Sequence, residues 1–128
     1  MNDRYESGLE SYMAIFGENG KQALDGLSLI SPDLAKYMVE FGFGDIYQRS
    51  QLDVQRRELV TISALTALGN CQPQLYGHIQ GALNIGCKPA EIVEVIMQVA
   101  LYAGFPAAIN AMLTAKDVFI ERGILETE

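Results

Sequence analysis

The sequence predicts an all-α fold of about six helices. Apolar residues recur at spacings of three and four in segment after segment, and no segment sustains the apolar–polar alternation of a half-buried strand. Glycines and prolines divide the chain into lengths that suit globular helices. At 128 residues, 49% of them hydrophobic and 20% charged, the chain reads as one domain over residues 1–128 with a modest core.

The first helix is predicted from about Arg4 to Phe16, with Leu9, Met13 and Phe16 on one face and a stop at Gly17 and Gly20. Ser31 and Pro32 supply an N-cap and a first helical residue for a second helix, which carries Leu34, Met38 and Phe41 and is expected to break at Gly42 and Gly44. Asp53 is placed to cap a third helix, Val54 to Leu68, whose later part is apolar nearly all round and is expected to be buried on several sides. Gly69 and Asn70 end it, and a fourth helix runs from about Pro73 to Ile85 and stops at Gly86. Pro89 opens the fifth, with Glu91 in its first turn, where a carboxylate suits the helix dipole. Its polar residues Glu91, Glu94 and Gln98 form one stripe, leaving apolar side chains from Ile92 to Leu101 over the rest. Gly104, Phe105 and Pro106 break the chain before a sixth helix from about Ala107 to Glu121, and Met97 and Met112 read as core fillers.

Two nearly all-round apolar helices, the third and the fifth, are more than a small monomer hides well. A homo-oligomer is therefore expected, the alternative being a monomeric bundle with these helices at its centre. No apolar run is long enough to span a bilayer, and Met1 to Glu10 lacks the apolar stretch of a secretory leader, so the expectation is a cytoplasmic protein with no membrane partner. A net charge of −7 with scattered Lys and Arg excludes nucleic acid as an expected partner. Cys71 and Cys87 form no CxxC, and with His78 as the one histidine neither a metal site nor a cofactor is expected.

Four stretches resemble the carboxymuconolactone decarboxylase family: RELVTISALTALG at Arg57–Gly69, HIQGALNIG at His78–Gly86, EIVEVIMQVALYAGFPAAINA at Glu91–Ala111 and AKDVF at Ala115–Phe119. The core of the resemblance covers residues 54–121, and Arg4, Tyr5, Gly8 and GDIYQRSQLD at Gly44–Asp53 extend it more loosely. It implies an alkyl hydroperoxidase D-like helical bundle assembled as a trimer or hexamer. It also implies one of two chemistries. One branch is a cofactor-free lyase of protocatechuate breakdown that takes CO2 from a carboxylated lactone and yields 3-oxoadipate enol-lactone. The other is a thiol peroxidase and reductase with a CxxCxxxH motif and an upstream Glu. Counted back from His78, that motif would need cysteines at positions 71 and 74, and this chain has Cys71 but Gln74. Without the second thiol the intramolecular disulfide cannot form, which favours the decarboxylase branch. From that branch the chain departs at Glu58, where a small residue is expected, and in a Gly69–His78 connection one residue longer.

His78 is the candidate proton donor or acceptor, because its intrinsic pKa lies near neutrality. If its segment is helical, it shares a face with Gln74 and Cys71. Glu58 is expected to orient it if the two helices pack together, the plain alternative being an exposed first-turn carboxylate. Cys71, near a helix start, is either a single reactive thiol or a small boundary residue, and Cys87 reads as structural. Arg49 and Arg57 are candidates to grip a substrate carboxylate, with Tyr102 in a segment the family also marks. Two rival functions remain: an antioxidant that uses Cys71 alone, and a non-catalytic oligomer that binds a small acid.

Overall fold

A computed structural model describes residues 2–126. Among them the secondary structure is helical, without strands. Two compact units divide them, one up to Val54 and one from Gln55.

The first unit is built on α1 (Asp3–Ile30), α2 (Pro32–Tyr37) and a π-helical segment, Met38–Ile46. Asn2 caps α1, its Oδ1 accepting from the Tyr5 N–H at 2.7 Å. Gly17 was read as a terminus, but it is a kink. Its φ of 64° leaves helical geometry for one residue, and the helix resumes to Ile30. Just past the kink, the Tyr12 hydroxyl donates to the Gly20 carbonyl at 2.7 Å. Ser31 caps α2 as read, with Oγ accepting from the Leu34 N–H at 3.3 Å.

Gly42 and Gly44 do not break the second helix, which widens into π geometry and continues through both. The reason is close approach. A Cβ on Gly8 would lie 2.1 Å from the Val39 carbonyl oxygen, and one on Gly44 would lie 2.5 Å from the Arg4 oxygen, so bare backbone lets α1 and the π segment meet. The predicted faces shift accordingly. Gly8, Tyr12 and Ile15 are buried where Leu9, Met13 and Phe16 were expected, and Ala35, Val39 and Phe43 are buried while Leu34 and Phe41 are exposed. Arg4 clamps the two segments at one end, donating to both oxygens of Asp45 at 3.0 and 2.8 Å. Tyr12, Phe16, Phe43 and Tyr47 form a chain of tilted and edge-on rings, centroids 4.8–5.6 Å apart.

Burial raises the Tyr12 phenol above its usual value of 10.0. The folded chain therefore keeps this proton to higher pH than the unfolded chain does. Its contribution to stability is whole below the unfolded value and declines as pH rises through the folded one. Tyr12→Phe is expected to cost about 1 kcal/mol at neutral pH through the lost Gly20 bond. It should also remove its share of the alkaline decline, both effects being read from urea midpoints at pH 7 and above pH 10.

The second unit holds α3 (Val54–Leu68) from Gln55 onward, with α4 (Gln72–Asn84), α5 (Pro89–Ala103) and α6 (Phe105–Glu121). Its core gathers Ile62, Leu75, Ile79, Ile92, Ile96 and Val118. Gly86, at φ 98°, turns the chain out of α4, and Gly104, at φ 94°, is a one-residue corner between α5 and α6. Glu91 accepts from the Lys88 N–H at 2.8 Å and so caps α5. The Arg122 guanidinium ties the end of α6 back to α4, reaching the Gln80 carbonyl and Oε1 and the Asn84 Oδ1 at 2.7–3.1 Å. Tyr76 donates to Glu121 across the same pair of helices. On α5 the stripe Glu91, Glu94 and Gln98 faces solvent as read. Met97, read as a core filler, is instead more than half exposed, because the fifth helix buries Ile92, Ile96 and Val99 and turns Met97 outward.

Candidate active site

Helix geometry places the central pair. On α3, Glu58, Ile62 and Thr66 repeat at four residues and are all buried, so Glu58 lies on the inward stripe of the helix. On α4, Leu75, Ile79 and Ala82 are buried, with His78 beside them and half-buried. The two side chains meet. His78 Nδ1 stands 2.8 Å from Glu58 Oε2 and 3.2 Å from Oε1. Glu58 is 0% exposed and the His78 side chain 20%. An ionised carboxylate at that depth needs a hydrogen-bonding partner, since an uncompensated buried charge is costly. When Glu58 is ionised it can only accept, which puts the hydrogen on Nδ1 and leaves Nε2 as the ring atom free of this bond.

The other sequence candidates are distributed differently. Arg57 precedes Glu58 on α3, and one helical step of about 100° sends the two side chains apart. Its Nε is shielded from solvent. Cys71 occupies the cap position of α4, half-buried, with Sγ 3.3 Å from Asn70 Oδ1. The helix begins at Gln72, so Cys71 stands just outside it, and seven residues place it about 10 Å from His78 along the axis. Beside the thiol is a cavity of about 10 Å³, lined in part by Leu65, Thr66, Leu75, Ala107 and Ala111. That volume holds about one water and no lactone ring. Tyr102, near the end of α5, is 84% exposed, so within one chain it stands at the surface. Arg49 belongs to the first unit, in the turn after the π segment, and is exposed. Cys87 is buried, its Sγ 3.6 Å from the Gln55 carbonyl oxygen, a structural placement.

Sequence reasoning passed over Glu40, which is buried in the π segment and receives the Asn2 side-chain amide at 2.6 Å. The signal was there: a lone acid in the apolar run MVEFGF.

Residues 32–117 match the carboxymuconolactone decarboxylase family. The chain belongs to that family. It is 36% identical to 4-carboxymuconolactone decarboxylase of Acinetobacter baylyi over 97% of this chain and 94% of that protein. It is also 32% identical to the nitrosuccinic acid decarboxylase of Metarhizium robertsii over 62% of this chain and 54% of that one. Peroxisomal protein 2 of Saccharomyces cerevisiae matches at 32% identity over 75% of this chain and 34% of its own length. Two of these three relatives are decarboxylases by name, and they act on different acids. Among the described residues no helix is long and apolar enough to cross a membrane.

Proposed function

We propose that this chain is a cytoplasmic carboxy-lyase that removes CO2 from a carboxylated lactone of the 4-carboxymuconolactone type, with His78 as the proton donor. The observation that carries this reading is the Glu58–His78 pair, a fully buried carboxylate holding one ring nitrogen of a partly accessible imidazole at 2.8 Å. The family membership and the similarity to the Acinetobacter baylyi enzyme support the substrate class.

In such a lactone the departing carboxylate is vinylogous to the ring carbonyl. When the bond to the carboxylate carbon breaks, CO2 leaves and the electron pair spreads into an extended enolate on the lactone oxygen. The substrate is its own electron sink, so the reaction calls for no cofactor. What remains for the protein is to hold the carboxylates, stabilise the enolate oxygen and return one proton to carbon. His78, as imidazolium, delivers that proton from Nε2 and regains one from water, while Glu58 keeps the ring oriented and balances its charge. Arg57 supplies a guanidinium of the kind that grips a carboxylate.

The test is CO2 release from freshly generated 4-carboxymuconolactone by wild type, Cys71→Ser and His78→Ala. Turnover is expected in wild type, within a few-fold of it in Cys71→Ser, and about 100- to 10,000-fold lower in His78→Ala. Loss of activity in Cys71→Ser would move the chemistry to the thiol. Full activity in His78→Ala would remove the proton donor.

A further inference from the structure

Of the asparagines in the chain, Asn19 alone is followed by a glycine. Packing puts that glycine there. A Cβ on Gly20 would lie 2.2 Å from the Phe16 Cβ and 3.3 Å from the Tyr12 Cε1, so this buried position has no room for a side chain. Gly20 also gives its carbonyl to the Tyr12 hydroxyl at 2.7 Å. Asn19 itself is exposed. The kink at Gly17, with ψ −151°, interrupts α1, and the helix that restarts at Glu18 has Asn19 and Gly20 in its first turn. The N–H groups of a first turn have no acceptor within their own helix, and a helix end opens more readily than a helix middle.

We propose that Asn19 is a self-modification site, at which the Gly20 backbone nitrogen attacks the Asn19 side chain and converts it to aspartate and isoaspartate. The Gly20 nitrogen bonds to Asn19 Cγ and gives its proton to solvent, while the side-chain nitrogen takes up a proton and leaves as ammonia. The product is a five-membered succinimide, which water then opens. Addition of water at Cγ breaks the newly formed bond and yields aspartate. Addition at the Asn19 backbone carbonyl breaks the original peptide bond instead, and the chain then runs through Cγ as isoaspartate. One water is consumed and one ammonia released, with no change of oxidation state. Glycine, having no Cβ, leaves the attacking nitrogen least hindered. The other asparagines precede Asp3, Cys71, Ile85 and Ala111, all with side chains. Asn2 is held by the Tyr5 N–H and Glu40, Asn84 accepts from Arg122, and Asn110 lies well inside α6.

The two products differ in consequence. Aspartate at position 19 places a negative charge in the first turn of the restarted helix, where the dipole favours it. Isoaspartate adds one backbone carbon, about 1.5 Å of chain, just before Gly20. The close fit of Gly20 against Phe16 leaves no slack for it, so the bond from the Tyr12 hydroxyl is lost.

The site is independent of the decarboxylase reading, and turnover plays no part in its test. The full chain is aged in mildly alkaline buffer and sampled by peptide mass mapping, with methylation by an isoaspartyl methyltransferase as a second readout. The amide-to-acid mass gain should appear at residue 19 about tenfold faster or more than at the other asparagines, and methyl groups should enter the same peptide. Asn19→Gln should take up no methyl groups there. Freshly prepared Asn19→Asp should keep the wild-type urea midpoint, whereas aged wild type rich in isoaspartate should show a lower one, in the direction of Tyr12→Phe. Conversion at residue 19 no faster than at the other asparagines, equal methylation of the Asn19→Gln peptide, or an isoaspartyl fraction with an unchanged midpoint would overturn the inference.

Discussion

Glu58→Gln is expected to leave the fold standing and to lower kcat by about 10- to 1,000-fold, with KM changed little. The amide occupies nearly the same volume on the inward stripe of α3, and its oxygen can still accept from Nδ1, so packing and ring orientation survive. What disappears is the negative charge that balances an imidazolium in a place closed to water. Glu58→Ala should be worse in both respects. It opens a cavity beside Ile62 and leaves Nδ1 without its acceptor, so about 2–4 kcal/mol of stability should go together with most of the turnover. Glu58→Asp separates charge from reach, because it restores the carboxylate but withdraws it by about 1.5 Å, one carbon–carbon bond. Activity intermediate between Gln and wild type would mark Glu58 as a positioning residue acting through His78. Equal kcat in all three variants and wild type would show that the buried carboxylate is only structural.

How far the sequence disclosed this arrangement depended on what kind of signal each part left. Helix ends were legible where a local rule acts: Ser31–Pro32 before α2, Val54 and Leu68 at the ends of α3, Glu91 at the start of α5, the Gly104 corner. Helix faces were less so. In α1 and α2 apolar side chains lie on more than one side, and periodicity alone preferred the bulky set Leu9, Met13 and Phe16 to the set that is buried, Gly8, Tyr12 and Ile15. A glycine adds nothing to an apolar count, yet here two glycines decide which faces meet. The π segment was invisible for the same reason, since Gly42 and Gly44 look like breakers until their surroundings are known. At the site, His78 was singled out by its near-neutral intrinsic pKa and by the family resemblance, Glu58 as a carboxylate at the start of the apolar part of its helix, and the fold brings them into contact. Met97 escaped correct placement because an apolar side chain on a helix does not declare whether it serves the core or the surface of the chain.

Gly8→Ala should destabilise the first unit by about 3–5 kcal/mol, a large effect for one methyl group. The added Cβ would stand 2.1 Å from the Val39 carbonyl oxygen and 2.9 Å from the Gly44 nitrogen, both backbone atoms that no rotamer change can move aside. Relief requires α1 and the π segment to separate. Separation would stretch the Arg4–Asp45 clamp and open the ring contacts of Tyr12 and Phe16 with Phe43. Gly44→Ala meets the Arg4 carbonyl oxygen at 2.5 Å and should act in the same direction. Two other glycines serve as controls. A Cβ at Gly26 or Gly42 meets nothing within 4 Å, and neither residue has a positive φ. Alanine at either should be neutral or stabilising by up to about 1 kcal/mol through helix propensity. Urea midpoints for the four variants decide the matter. A steep loss confined to Gly8 and Gly44 would establish contact between bare backbones as what sets the first unit's packing, whereas equal effects at all four would reduce it to a general preference for glycine in these helices.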